Sequence, residues 1–163
     1  HSVSLAAGRR SAAPAKRAQL LGEMSGGRLL ALYINNKSGG LIYQRNFAAS
    51  AAKLRDNDQL TVASMLSSIA LILQELSPVS RSRPMSSLEA NGFVLSCFDV
   101  PTGLKMVLLA EPGTQGLELL LKAVYSLYAD YALKNPFYEL DMPIRCDKFD
   151  ERLTRLLADF TRH

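Results

Sequence analysis

The side chains that most often do chemistry are sparse in this 163-residue chain and badly spaced for it. Its two histidines, His1 and His163, sit at opposite ends of the sequence. That excludes a Ser–His or Cys–His nucleophile pair and a histidine-bearing zinc set. Cys97 and Cys146 are too few for a disulfide framework and lack metal-ligand spacing, so both read as reduced thiols. Cys146 lies beside Arg145 at an expected helix start, without the partner residues a thiol enzyme needs. The carboxylates of Asp141, Asp147, Asp150 and Glu151 crowd the last loop and helix. The preference of helix N-termini for acids accounts for the last three without acid–base catalysis. Gly39-Gly40 has neither the lysine nor the Ser/Thr of a phosphate loop. The expectation is a non-enzyme with no catalytic group, no cofactor and no metal.

What the chain offers instead is a proline-punctuated connection, Tyr131 to Asp150, between two amphipathic segments. Pro136 and Pro143 stiffen it and lower its ordering cost on binding. Phe137, Tyr138 and Arg145 are residue types that anchor protein interfaces. The expected partner-facing surface is Lys134, Asn135, Pro136, Phe137, Tyr138, Met142, Pro143, Ile144 and Arg145. For Phe137 and Ile144, tucking beneath the loop as local core is an equal expectation.

The elements that position this loop follow from periodicity. Arg28 to Asn36 is a strand apolar on both faces, reversed at Lys37-Ser38-Gly39-Gly40 into a second strand, Leu41 to Phe47. Ala48 to Asn57 is a small-residue linker. Asp58 is an N-cap candidate for a helix Gln59 to Leu76, with Val62, Met65, Leu66, Ile69, Leu73 and Leu76 as its core stripe. Leu71 and Ile72 widen that stripe beyond what one sheet needs, which means either a second face for a partner subunit or a deeply buried helix. Ser77-Pro78 ends it, and Val79 to Ser87 is a loop. Leu88 to Ala90 and Phe93 to Val100 form a hairpin at Asn91-Gly92, and Leu104 to Ala110 is a fifth strand. Helices follow at about Gln115 to Leu133, broken by Asn135-Pro136, and at Asp147 to Phe160. The order β-β-α-β-β-β-α-α predicts an α+β fold, a five-stranded antiparallel sheet with helices on both faces.

Composition is ordinary for a single globular domain: 48% hydrophobic, 21% charged and no tryptophan. The formal charge of +4 is concentrated at the front. Residues 1–23 hold four cations (Arg9, Arg10, Lys16, Arg17) against Glu23 alone, leaving about +1 for the rest. A basic folded surface of the kind that binds nucleic acid is not expected. No apolar run reaches the roughly 18 residues of a membrane span. Residues 1–23 are expected to be a vector-derived or disordered tail ahead of Met24, with one domain over 24–163.

With the segments placed, three stretches resemble a known family. Leu32-Tyr33-Ile34-Asn35-Asn36-Lys37-Ser38-Gly39-Gly40-Leu41-Ile42-Tyr43-Gln44 is similar to the opening hairpin of synbindins, the Trs-twenty-three-type core subunits of the TRAPP vesicle-tethering complex. Asp99 to Lys105 resembles that family's turn between the fourth and fifth strands. Ala132 to Tyr138, continuing through Met142-Pro143-Ile144-Arg145-Cys146, is similar to its loop, and the second half separates synbindins from sister subunits. The resemblance covers about Leu29 to Phe160. It departs at Ala48 to Asn57, where synbindins of animals and fungi carry a PDZ-like insertion.

The resemblance implies a longin-like fold and a non-catalytic subunit in an assembly of related longin-like subunits. It implies a composite guanine-nucleotide exchange surface for a Rab GTPase in transport from endoplasmic reticulum to Golgi. The chain would then be cytoplasmic, touching ER and cis-Golgi membranes only peripherally through the complex, with no nucleic-acid partner. The alternative is a longin-like small subunit of another coat or adaptor complex with no exchange role.

Overall fold

The computed structural model describes residues 27–47, 56–76, 85–139 and 141–162. The leading segment 1–23, residues 48–55 of the linker, the Ser77-Pro78 stop and the Leu73 side chain lie outside the described residues. The first helix starts at Asp56, so Asp56-Asn57 belong to it rather than to the linker and Asp58, the expected N-cap, lies inside it. Strands β1 (Leu29–Asn35) and β2 (Leu41–Asn46) are joined by a turn that Asn36 builds. Its backbone N–H donates to Gly40 O at 2.8 Å, and its Oδ1 accepts from Gly40 N–H at 2.7 Å. Gly39 sits at φ 83°, the left-handed region that glycine enters without steric cost. Helix α1 (Asp56–Leu76) follows, then β3 (Met85–Ala90), β4 (Phe93–Asp99) and β5 (Lys105–Ala110). Helix α2 (Leu117–Tyr128) runs on through a π turn, Ala129–Leu133, and α3 (Asp147–Arg162) closes the order.

All pairings are antiparallel, and the sheet order is β2-β1-β5-β4-β3. The first and last strands in sequence, β1 and β5, are therefore neighbours at the centre. That placement explains why both are apolar throughout: each is covered on two faces. Leu32, Ile34, Met106 and Leu108 point to α2 and α3, while Ala31, Tyr33 and Val107 point to α1. The predicted fold class, element order and helices on both faces are all present.

The two layers differ in what fills them. Beneath α2 and α3, Leu120, Leu121, Val124, Tyr128, Phe149, Leu153, Leu157 and Phe160, spaced three and four residues apart, pack onto the sheet. Each fully buried large side chain contributes on the order of 1.5–3 kcal/mol. Beneath α1 the expected stripe is corrected. The helix buries Ala63, Leu66, Ser67 and Ala70, whereas Met65, Ile69 and Leu76 are 60%, 36% and 73% exposed.

Two contacts explain this rotation. Tyr33, only 3% exposed, rises from the sheet beneath the helix, and small residues let the backbone come down beside it. Asn35, wholly buried, donates through Nδ2 to Ala63 O at 3.0 Å and to Ser67 Oγ. A buried amide needs these partners, since leaving it unpaired costs about 1–3 kcal/mol. The helix turns its polar and small side to the sheet to provide them.

This packing makes an inverted mutational pattern. Ala70→Leu is expected to lower urea unfolding stability by about 1–3 kcal/mol through overpacking. Ile72→Ser, although it removes the larger apolar side chain, should change it by no more than about 0.5 kcal/mol. The opposite ranking would place the core on the other side of α1.

Candidate partner interfaces

The loop between α2 and α3 is held by a few local bonds and two long-range ones. Asn135 N–H donates to Ala132 O at 3.1 Å, and Asn135 Oδ1 accepts from Phe137 N–H at 3.1 Å. This Asx turn is completed by Pro136, which has no N–H to lose. Tyr138 N–H donates to Asn135 O and Met142 N–H to Glu139 O. Ile144 N–H then donates to Ile42 O at 2.8 Å, stitching the loop onto the free edge of β2. Asn36 Nδ2 donates to Asp141 Oδ1 at 3.1 Å, tying the loop to the β1–β2 turn.

These ties sort the nine expected contact residues. Lys134, Pro136, Phe137, Met142, Pro143 and Arg145 are exposed, with Phe137 at 92%. Asn135 is half-buried and engaged in the turn. Ile144 is buried at 7%, part of the core with Phe149 and Leu153. Tyr138 is half-buried, its ring edge-on to Tyr128 at 6.2 Å. Burial, followed by the neighbouring Tyr128 hydroxyl, pushes the Tyr138 phenol above its ordinary pKa. Of the two residues weighed as local core, Ile144 tucks in and Phe137 does not, while Tyr138 turns inward. Lys134 pairs with Asp130 one turn back at 2.8 Å.

The carboxylates of this region serve the framework. Asp150 Oδ1 accepts from Tyr43 OH at 2.6 Å, docking α3 onto β2, and Glu151 pairs with Arg155 at 2.5 Å. Cys146 lies within 3.8 Å of Tyr131 O. Burial, with Asp99 adding to it, pushes the Cys97 thiol up to about 12, so it packs as a small apolar group. Among the described residues, no three His, Cys, Asp or Glu side chains gather where a metal ion could sit, and no helix is long and apolar enough to cross a membrane.

A second surface lies on the opposite side of the sheet. Leu60, Met65, Ile69, Leu71, Ile72 and Leu76 of α1 are all at least 36% exposed. Leu60, Ser64, Met65, Ser68 and Ile69 frame a shallow depression of about 550 Å³ along the helix. Beside it, β3 is the last strand of the sheet, and among the described residues no strand pairs with its outer edge. Large apolar side chains of α1 thus stand in solvent next to the outer strand of the sheet. The sequence carried its signal in the over-wide stripe at Leu71 and Ile72.

Burial divides the loop into residues that hold the fold and residues free for contact. Ile144→Ala should cost about 2–5 kcal/mol by leaving a cavity, whereas Phe137→Ala should leave the unfolding free energy within about 0.5 kcal/mol of the parent. Equal losses in chemical denaturation would put Phe137 in the core after all.

Comparison with known proteins places the chain in a family. A family model described as the Sybindin-like family matches residues 29–160. The chain is 48% identical over 128 residues to trafficking protein particle complex subunit 4 of Dictyostelium discoideum, covering 78% of this chain and 94% of that protein. It is 46% identical over 101 residues to the same-named subunit of Homo sapiens, covering 62% of this chain but only 46% of the human protein. The chain thus spans about half the length of the mammalian relatives it matches. It is also 25% identical over 130 residues to trafficking protein particle complex subunit 1 of Dictyostelium discoideum, covering 77% of this chain and 92% of that protein. Among solved structures it is similar to MglB in a tetrameric arrangement, with a TM-score of 0.45 and 14% identity over 93% of this chain and 94% of that one. With the match running from the first residue of β1 to the last turn of α3, the chain belongs to the Sybindin-like family.

Proposed function

We propose that this chain is a non-catalytic core subunit of a trafficking protein particle (TRAPP) complex. In this reading it acts in ER-to-Golgi vesicle transport as part of a composite guanine-nucleotide exchange surface for a Rab-type GTPase. The single observation that carries the reading is the outward apolar face of α1 beside the outer strand β3, on a chain whose relatives are named as complex subunits. A sister subunit of related fold, such as the subunit 1 relatives exemplify, is the occupant that suits it. A helix of 21 residues is about 30 Å long, enough for one side of a standard interface.

The loop at Lys134, Asn135, Pro136, Phe137, Met142, Pro143 and Arg145 is the second contact, presented at the β2 end of the sheet. Ile144 and Tyr138 hold that loop from beneath. Exchange in such an assembly needs no reactive group. A surface that binds the nucleotide-free GTPase more tightly than the loaded form shifts the population toward release. The complex, rather than this chain, would meet ER and cis-Golgi membranes.

The test is co-expression of the chain with the sister core subunits and measurement of fluorescent-GDP release from the Rab GTPase. Ile72→Asp should prevent co-purification with the core, because a charge buried in an interface costs several kcal/mol. Arg145→Glu should leave the fold intact and slow release or weaken assembly by about tenfold or more. A core that assembles and exchanges normally with both variants would overturn the reading.

A further inference from the structure

Between α1 and the β1–β2 turn lies a notch of about 230 Å³ that differs in character from the apolar face beside it. Its polar walls are Lys37 and Ser38 of the turn, Ser64, Ser67 and Ser68 of α1, and Lys105 of β5, with Gly39 and the apolar Leu71 completing the rim. Ser64 and Ser68 belong to both the notch and the apolar depression, so whatever seats on α1 reaches the notch mouth. Among the described residues neither lysine forms a close ion pair, although Asp99 faces Lys105 across the strand register and feels its charge.

The stems that carry the two ammonium groups are anchored at their bases, although Lys37 is exposed. A Cβ on Gly103 would stand 2.8 Å from Lys37 Cβ and Cγ, so the β4–β5 turn packs directly on the lysine stem. Lys105 is half-buried in the strand register between Asn35 of β1 and Asp99 of β4. Ser68 gives its proton to Ser64 O at 3.0 Å. Ser67 is different: it is 5% exposed, and its oxygen already accepts from Asn35 Nδ2. The bond from the same amide to Ala63 O fixes that amide's orientation, since the reverse would set two acceptors face to face. The Ser67 hydroxyl proton therefore takes no part in that bond. Two ammonium groups and one neighbouring carboxylate, Asp99, leave about one net positive charge. That balance suits a monoanion better than a phosphate dianion.

We infer that this notch receives a single carboxylate side chain, aspartate or glutamate, from the subunit seated on α1. The inference rests on the docking reading above and adds to it a specificity element: an apolar partner face without a correctly placed acid would leave buried donors unpaired. The test uses the chain in complex with its sister subunit, with association and dissociation rates followed by surface-bound kinetics. Lys37→Gln should speed dissociation about tenfold at about 0.1 M salt, and the difference should shrink toward about 1 M, where the Debye length is only about 3 Å. Lys37→Arg should retain most of the parent affinity. Three controls separate the outcomes. If Ile72→Asp abolishes binding while Lys37→Gln dissociates like the parent, the notch inference fails and the docking reading stands. A change confined to the association rate would mean long-range steering and likewise overturn the notch. If Ile72→Asp binds normally, the docking reading fails, and the notch inference with it.

Discussion

The amide of Asn35 stands at the end of the central strand β1 with no exposure at all, and its two N–H bonds go to the Ala63 carbonyl and the Ser67 hydroxyl of α1. Much of the rest depends on that pair of bonds. They reach across 28 and 32 residues of sequence and fix the helix in rotation as well as position. Once Ala63 and Ser67 face the sheet, Ala70 one turn on must face it too, and Met65, Ile69 and Ile72 are carried to the outside. A purely apolar contact would have tolerated the helix rolled by a third of a turn, burying the larger side chains. A directional bond to a buried amide does not.

The opposite face is organised by volume instead of direction. There α2 and α3 bring Leu120, Leu121, Tyr128, Phe149, Leu153 and Phe160 onto the sheet, and the sheet answers with Leu32, Ile34, Met106 and Leu108. Among the described residues this side gathers twenty-three buried residues and the α1 side eight. The imbalance places most of the hydrophobic stabilisation away from α1. The loop from Lys134 to Arg145 belongs to the strong side: Ile144 is anchored in that core, and Tyr43 reaches from β2 to Asp150 of α3. Phe137 can therefore stand in solvent on a stiff base without loosening the fold.

Sequence patterning made one of these faces legible and misread the other. The hairpins announced themselves through Gly39 and Gly92, and the α2 and α3 stripes through residues that differ sharply from their neighbours. On α1, hydrophobicity ranks Met65 and Ile69 above Ala63 and Ala70, but close helix–sheet approach selects for small size. Nothing local to α1 reveals that its Ser67 answers an asparagine two elements earlier. In the loop, Phe137 and Ile144 were equivalent by type and spacing. The deciding feature is a backbone bond from Ile144 to Ile42, a pairing set by how α3 lies along β2 rather than by the loop's own sequence. The edge position of β3 was likewise invisible, because strand order does not follow from strand count.

On the docking reading, the lightly packed side of the sheet and the interface are the same side, and this has a thermodynamic consequence. A partner on α1 would cover the face that the Asn35 bonds turned outward, adding apolar contacts where the described residues supply few. Anything that binds the seated helix and not the loosened one stabilises the seated form through mass action. The helix would be held in rotation by two polar bonds before assembly and secured by buried area after it. Orientation would be set within the chain and affinity supplied between chains. A core filled with large residues beneath α1 would make a more stable monomer but leave the helix with its alanine side outward and little to offer a partner.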